Sequence, residues 1–268
     1  MLKKISLLIA AAVCLIAAGN PGRVYAQPKD THFYFIQITD THFGDGNYLD
    51  RLQKIVDSIN ALPMPIECVV HTGDISNNNI ENEKSVDAGL AVLKQLKVPV
   101  HFLPGNHDIL PQRLDATLQA YRRKFGDLSS SATYRGVVFL FAFTENIRKS
   151  YSIPGYDALQ WLERSLKASG GKPVIVFHHA PSVRDFYSNE FHQAWQEAVP
   201  SWKKLLNSYN VKAVIAGHFH RDELHWIGNV PLYVSASVTG YWGRQATYRI
   251  YEYDNGRISY RTQYIESN

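Results

Sequence analysis

An alternation that begins near residue 32 narrows the fold more than any other feature of the chain. Phe33-Tyr34-Phe35-Ile36-Gln37-Ile38 is a short apolar run, and Tyr48 to Leu62 follows with helical spacing, stopped by Pro63. Glu67 to His71 is apolar again. Glu83 to Leu96 then carries Val86, Leu90, Leu93 and Leu96 on one helical face. Val100 to Leu103 reads as the next strand and Leu114 to Phe125 as the next helix. Strands alternating with covering helices predict a layered α/β protein rather than a bundle or an all-β sandwich.

The second half repeats the pattern less regularly. Tyr134 to Phe143 reads as one long apolar strand after a Ser-rich turn at Ser129-Ser130-Ser131, and Asp157 to Lys167 as an amphipathic helix. Val174 to Phe177 and Ala213 to Ala216 read as strands, with a helix from Glu190 to Tyr209 interrupted at Pro200 between them. The tail is β-rich, near Leu224-Ile227, Leu232-Ser235, Thr247-Tyr253 and Ile258-Ile265. Asp254-Asn255-Gly256 forms the last hairpin turn. With no internal repeat and no separating linker, the expectation is a single-domain, four-layer α/β/β/α sandwich. Two mixed sheets stack with helices outside.

The first 26 residues read as a signal peptide rather than part of this fold. Lys3 and Lys4 precede an apolar run from Ile5 to Ala18, too short to span a bilayer comfortably, and Val24-Tyr25-Ala26 suits a signal peptidase. The expectation is cleavage after Ala26, export to the periplasm or beyond, and a mature domain over residues 27–268 with no stable membrane insertion. The alternative is an uncleaved anchor. Cys14 lies inside the apolar run, which argues against lipoprotein attachment. Removing Lys3, Lys4 and Arg23 takes the formal charge from +4 to near +1. That balance is no electrostatic footprint for nucleic acid or acidic membranes. Cys68 then remains alone, in a strand-like run where a buried thiol is expected, so no intramolecular disulfide can form.

Five polar clusters stand at the ends of the apolar runs. They are Asp40-Thr41-His42, Gly73-Asp74, Gly105-Asn106-His107-Asp108, His178-His179-Ala180-Pro181 and Gly217-His218-Phe219-His220. Singly, each has a plain structural explanation, as an exposed turn or a loop histidine. Together they place Asp, Asn and His where layered α/β proteins gather their sites, beyond the carboxyl ends of strands. Imidazole and carboxylate donors without sulfur suit Zn, Mn or Fe(II). The Asp-x-His and His-x-His spacings would put both side chains on one side of an extended segment.

These five motifs, in this order over residues 40 to 220, resemble the calcineurin-like metallophosphoesterase superfamily. Within it they are most similar to the class III cyclic-nucleotide and glycerophosphodiesterase branch. The resemblance implies two divalent cations. Asp40, His42 and His220 would hold one, Asn106, His179 and His218 the other, and Asp74 would bridge them. A hydroxide between the cations would attack the phosphorus. His107 would contact the phosphoryl group and protonate the leaving oxygen, and Asp108 would orient His107. The family's His-x-Pro pattern selects His179 over His178, leaving His178 as a neighbour facing away or a substrate contact. The tyrosine that follows Gly-Asp in purple acid phosphatases is replaced here by Ile75-Ser76-Asn77, which argues against a purple ferric enzyme.

Other polar residues stay open. Asn77, Asn78 and Asn79 read either as a solvated loop or as a source of a hydrogen bond to substrate. Tyr241-Trp242-Gly243-Arg244 reads either as a strand-edge cluster or as a pocket wall whose Arg244 grips phosphate. The substrate contacts are therefore Asn106, His107, His178 and Arg244. His32, His192 and His225 fall outside every motif and read as structural or solvated, while His71 and His101 read as core groups. Arg122-Arg123-Lys124 looks like one helix's solvated face, which disfavours a nuclease. The expected activity is hydrolysis of phosphodiester or phosphomonoester bonds in small substrates. A nuclease or protein phosphatase, or a non-catalytic metal-binding relative, is the alternative. Oligomeric state is not legible. The short gaps between motifs leave little room for a cap, so an open site is expected.

Overall fold

The apolar runs become strands, and the strands form two sheets. In the computed structural model, which describes residues 31–149, 151–183, 195 and 199–266, β1 (Phe33–Ile38), β2 (Ile66–His71) and β3 (Val100–Phe102) lie parallel. β10 (Ala246–Asp254) pairs antiparallel with β1, and β11 (Arg257–Ile265) closes that flank, giving the order β11-β10-β1-β2-β3. The second sheet holds β5 (Val137–Phe141), β6 (Val174–Phe177), β7 (Val211–Ala216) and β9 (Val230–Val234) in parallel. Antiparallel β4 (Ser130–Tyr134) and β8 (Glu223–Ile227) edge it, giving β4-β5-β6-β7-β9-β8.

Helices cover the outer faces. α1 (Tyr48–Asn60), α2 (Glu83–Leu93) and α3 (Leu114–Phe125) bury Leu52, Ile55, Val86, Leu118 and their neighbours against the first sheet. α5 (Ala158–Ala168) and α6 (Val199–Ser208) bury Leu162, Leu166, Trp202 and Leu206 against the second. α2 and α5 start on side-chain caps, Asn82 accepting from the Ser85 N–H and Asp157 from the Gln160 N–H. Between the sheets lies an aromatic layer of Phe33, Phe35, Phe139, Phe141, Phe177, Tyr251 and Tyr253. Phe35 stacks on Tyr251 at 5.0 Å and meets Phe139 edge-on at 5.0 Å. The expected four layers are all present. Cys68 is buried in β2, where burial pushes its thiol up to about 12.

A buried polar chain crosses the apolar layer. The Gln37 amide of β1 donates 2.9 Å bonds to Thr72 Oγ1 and to the Ala216 carbonyl at the end of β7. Its oxygen accepts from Tyr251, whose hydroxyl accepts from Arg249, and Arg249 pairs with Asp222 at 2.6 Å. Buried polar groups are tolerated when so paired, and their geometry is directional where apolar packing is not. This chain sets one sheet's strand ends against the other's.

Three expectations need correction or narrowing. The segment from Tyr134 to Phe143 is not one strand. Arg135 and Gly136, with φ of 46° and 83°, make a tight turn that splits β4 from β5, and the Ser-rich stretch starts β4. Arginine is an uncommon residue for a left-handed turn position, which hid the hairpin. Pro200 is the second residue of α6 as described, Val199–Ser208, so the expected interruption falls where the described residues begin. Trp195 aside, residues 190–198 of the expected helix lie outside the described residues, as does the expected signal peptide over residues 1–26. Among the described residues no helix is long and apolar enough to cross a membrane.

Gly89 of α2 faces the Phe43 ring, and a Cβ there would lie 2.5 Å from it. Alanine would gain about 1 kcal/mol of helix propensity. Overpacking against a fully buried ring costs about 1–3 kcal/mol. Gly89→Ala is therefore expected to lower the urea-unfolding free energy by up to about 2 kcal/mol, and a stabilised variant would show that α2 does not press on the Phe43 loop.

Candidate metal centre

The polar clusters all lie at carboxyl ends of parallel strands, on one edge of the sandwich. β1 leads to Asp40 and His42, β2 to Asp74, and β3 to Asn106, His107 and Asp108. In the other sheet β6 leads to His178 and His179, and β7 to His218 and His220. Backbone bonds tie these ends together. The Asp40 N–H donates to the Gly73 carbonyl at 3.0 Å, that of His42 to Asp74 at 3.1 Å, and that of Gly217 to His179 at 3.0 Å.

The backbone at these ends is not extended. Asp40, His42, Asp74, His218 and His220 have φ of 55°, 45°, 52°, 69° and 53°, in the left-handed region that non-glycine residues avoid. The expected mechanism for pairing the motif side chains, alternation along an extended segment, therefore fails. Asp40 and His42 reach one group with both residues left-handed, while His218 and His220, also left-handed, part to different groups. Such conformations cost about 1–3 kcal/mol each and concentrate at functional sites. Gly105 completes the close approach, since a Cβ there would lie 2.2 Å from Asp74 Oδ1.

Two groups result. Asp40, His42 and His220 offer ligand atoms within 4.8 Å of one another, and so do Asp74, His179 and His218. All six are buried. His220 Nε2 lies 3.1 Å from Asp40 Oδ1, and His179 Nε2 lies 3.0 Å from Asp74 Oδ2. His179 is fixed through Nδ1, 2.8 Å from the Thr72 carbonyl, which leaves Nε2 for the centre. Asp40 Oδ2 accepts from Thr39 Oγ1 and from the His218 N–H. Burial would raise Asp40, but the His220 ring beside it prevails and lowers it to about 2. Burial would lower His179, yet Asp74 raises it to about 10.

Both ring nitrogens of His42 are buried without a hydrogen-bond partner, and burial takes that imidazole down to about 4. A neutral, unpartnered imidazole is costly in a core and suited to a cation. The nitrogen and oxygen donors, with no sulfur among them, fit a pair of divalent ions.

A cleft of about 350 Å³ opens over these groups, lined by His42, Asp74, Asn106, His107, His218 and His220. His107 is one-third exposed there, its Nε2 3.9 Å from Asp74 Oδ2. The contact expected between Asp108 and the His107 ring is not made. His107 Nδ1 instead lies 3.0 Å from Asn78 Oδ1, in the Asn run that sequence reading left open. Asp108 is fully buried, and its carboxylate accepts from the N–H groups of Gly105, Ile75 and Ser76 and from Ser76 Oγ, at 2.8–3.0 Å. It clasps the Asp74 loop to the Asn106 loop. Burial and the charge of Asp74 push its carboxyl up to about 6, against the pull of those donors.

Two expected substrate contacts lie elsewhere. His178 is buried against Trp195 and Trp202, on the helix side of its sheet, because neighbouring residues at a strand end face opposite ways. Arg244 donates to the His220 carbonyl at 2.9 Å, with its guanidinium 5.4 Å from the Trp242 ring centre. It braces the His220 loop instead of facing the cleft. Tyr241 and Trp242 do line the cleft, and Tyr241 stacks on His220 at 5.4 Å. Sequence reading missed Arg148 and Lys149 in the cleft's lining, since neither stands in a motif. His71 is buried beneath the site with Nε2 2.9 Å from Thr41 Oγ1, and His101 meets Tyr134 at 2.6 Å, core roles both. His32 pairs with Glu252 and His225 with Glu223, while His192 lies outside the described residues.

Asp108→Asn tests the clasp, because an amide must turn a donor toward backbone donors. The expected result is a loss of about 2–3 kcal/mol of stability, with reduced metal content after dialysis against limiting Mn²⁺. Unchanged stability and metal content with slowed turnover would return Asp108 to a role on His107 alone.

Comparison with known proteins places this geometry. The family model described as calcineurin-like phosphoesterase matches residues 33–222. A protein of Fibrobacter succinogenes named a probable cyclic nucleotide phosphodiesterase is 24% identical over 212 residues, covering 75% of this chain and 78% of its own. The mouse serine/threonine-protein phosphatase CPPED1 is 23% identical over 235 residues, covering 77% and 75%. Among solved structures, a dimetal phosphatase from Danio rerio shares the fold with a TM-score of 0.61 at 17% identity, covering 86% of this chain and 98% of its own. With all five strand-end motifs inside the matched segment, the chain belongs to the calcineurin-like phosphoesterases, metal-dependent hydrolases of phosphoric ester bonds.

Proposed function

We propose that the protein is an exported dinuclear-metal phosphoesterase that cleaves phosphodiester or phosphomonoester bonds of small substrates in the cleft above Asp74. One observation carries this reading: two buried ligand groups, sharing one edge of the sandwich, floor an open cleft of about 350 Å³. That volume suits a small ligand. Residues 1–26 support export, to the periplasm or beyond.

Asp40, His42 and His220 would hold one cation, and His179, His218 and Asn106 the other, with Asp74 between them. Such a pair, with Mn, Fe or Zn as its metal, supplies Lewis acidity at the phosphoryl oxygens and a water of lowered pKa. The chain's own residues supply the rest. His107, held through Nδ1 by Asn78, presents Nε2 to the cleft and delivers a proton to the leaving oxygen. Its backbone N–H donates to Asp74 Oδ1 at 2.8 Å and orients that carboxylate between the groups. Tyr241, half-buried and stacked on His220 at 5.4 Å, gives the cleft an aromatic side beside the ligand groups.

The mouse relative's name favours a second reading, a phosphatase of proteins. A phosphoserine peptide turned over much faster than any small ester would support it.

The direct assay uses bis-p-nitrophenyl phosphate beside p-nitrophenyl phosphate. EDTA is expected to abolish turnover and Mn²⁺ or Zn²⁺ to restore it, with the ratio of rates reporting diester or monoester preference. A wild-type protein that is metal-loaded and inert to both would overturn the small-substrate reading. His107→Ala is expected to keep its metal and lose about 10²–10⁴-fold in turnover of alkyl diesters, and less with nitrophenyl leaving groups. Equal losses on both would remove the proton-donor role.

A further inference from the structure

The lining of the cleft includes Arg148, one member of a buried ion pair that the ligand groups do not need. α4 (Glu145–Arg148) is a single turn, and Glu145 Oε2 accepts from both Nε and Nη2 of Arg148 at 2.7 Å. The side chains are 1% and 7% exposed. Burying such a pair adds little net stability, and an apolar pair of similar volume folds as well or better. What the pair does achieve is placement. It fixes a planar guanidinium at the cleft, with Nη2 3.5 Å from Asn106 Oδ1 and with His42, Asp74 and His107 lining the same space. A guanidinium held on one edge keeps a fork of donors for a second partner. That fork matches two oxygens of a phosphoryl group.

We propose that Arg148 anchors the non-bridging oxygens of the substrate's phosphoryl group, and that Glu145 is the positioning residue that aims it. The inference rests on the phosphoesterase reading and deepens it. Lys149 extends the cationic wall. A monoester carries one more negative charge than a diester, so it gains more from this wall, and Arg148 sets the balance between the two substrate classes.

The experiment uses the metal-loaded full-length protein and its Arg148→Met, Arg148→Lys and Glu145→Gln variants. Inorganic phosphate is the probe, by competitive inhibition and by calorimetry, with KM and kcat for p-nitrophenyl phosphate and bis-p-nitrophenyl phosphate beside it. Arg148→Met is expected to weaken phosphate at least tenfold, as loss of a charge-assisted fork does. It should also raise KM for the monoester at least tenfold and for the diester by less. Lysine should recover part of the loss, and Glu145→Gln should fall between. Metal content and thermal midpoint show whether the centre survives. Unchanged phosphate affinity, or equal losses on both esters, overturns the anchor. Loss of metal in both Arg148 variants overturns it too, reducing Arg148 to a support for Asn106. If the wild type hydrolyses neither ester, the function above fails. Calorimetry then still decides Arg148, a tenfold loss of phosphate in Arg148→Met supporting the anchor and equal affinity rejecting it.

Discussion

Each ligand group draws on both sheets, so the centre exists only where the sheets are held in one relative position. Asp40 and His42 come from the first sheet and meet His220 of the second, while Asp74 of the first meets His179 and His218 of the second. Apolar packing between sheets is strong but slides easily, because it is not directional. The Gln37 amide supplies the missing direction. It bonds Thr72 at the root of the Asp74 loop and Ala216 at the root of the His218 loop, and is itself held by Tyr251 and Arg249. Thr72 in turn fixes the tautomer and aim of His179. A few buried hydrogen bonds therefore connect the relative position of eleven strands to the aim of single nitrogen atoms.

The second requirement is local. Asp108 gathers four donors from two loops, and Gly105 leaves room for Asp74, so the loops can be pressed together without a side chain between them. Backbone strain at the ligands is balanced by these bonds and by the strand-end ladder from Asp40 to Gly73 and His42 to Asp74. Any chemistry at the site depends on this scaffold. The aim of the His107 ring depends on Asn78 in the same way.

Much of this was legible in the chain. The alternation of Phe33–Ile38, Tyr48–Leu62 and Glu67–His71 gave the layers, because burial on both faces produces continuous apolar strands. The strand-end motifs named the residues that the fold brings together, including the choice of His179 over His178. What escaped shares a physical cause. Apart from the β4–β5 turn, hidden by an arginine at a left-handed position, the left-handed ligand positions, the tie from Asp108 and the approach of Arg148 to Asn106 involve residues distant in sequence. Arg249 illustrates it: in sequence it is a charge in a strand, and in the fold it is wholly buried as one member of a chain reaching Gln37. No periodicity marks such a residue.

The left-handed backbone at five of the ligands bears on how such a centre can arise or be moved. Side chains alone do not carry it. Asp40 and His42 grafted onto an ordinary extended segment would share a face by alternation, but without a left-handed turn at each residue they would not take the directions that meet His220. What is transferable is the loop together with its clasp and its neighbouring sheet. Tyr241 and Arg148 stand in the cleft walls outside the left-handed positions, so their side chains can change without disturbing those turns. New specificities can be reached by repainting a surface that rests on an inherited, rigid floor.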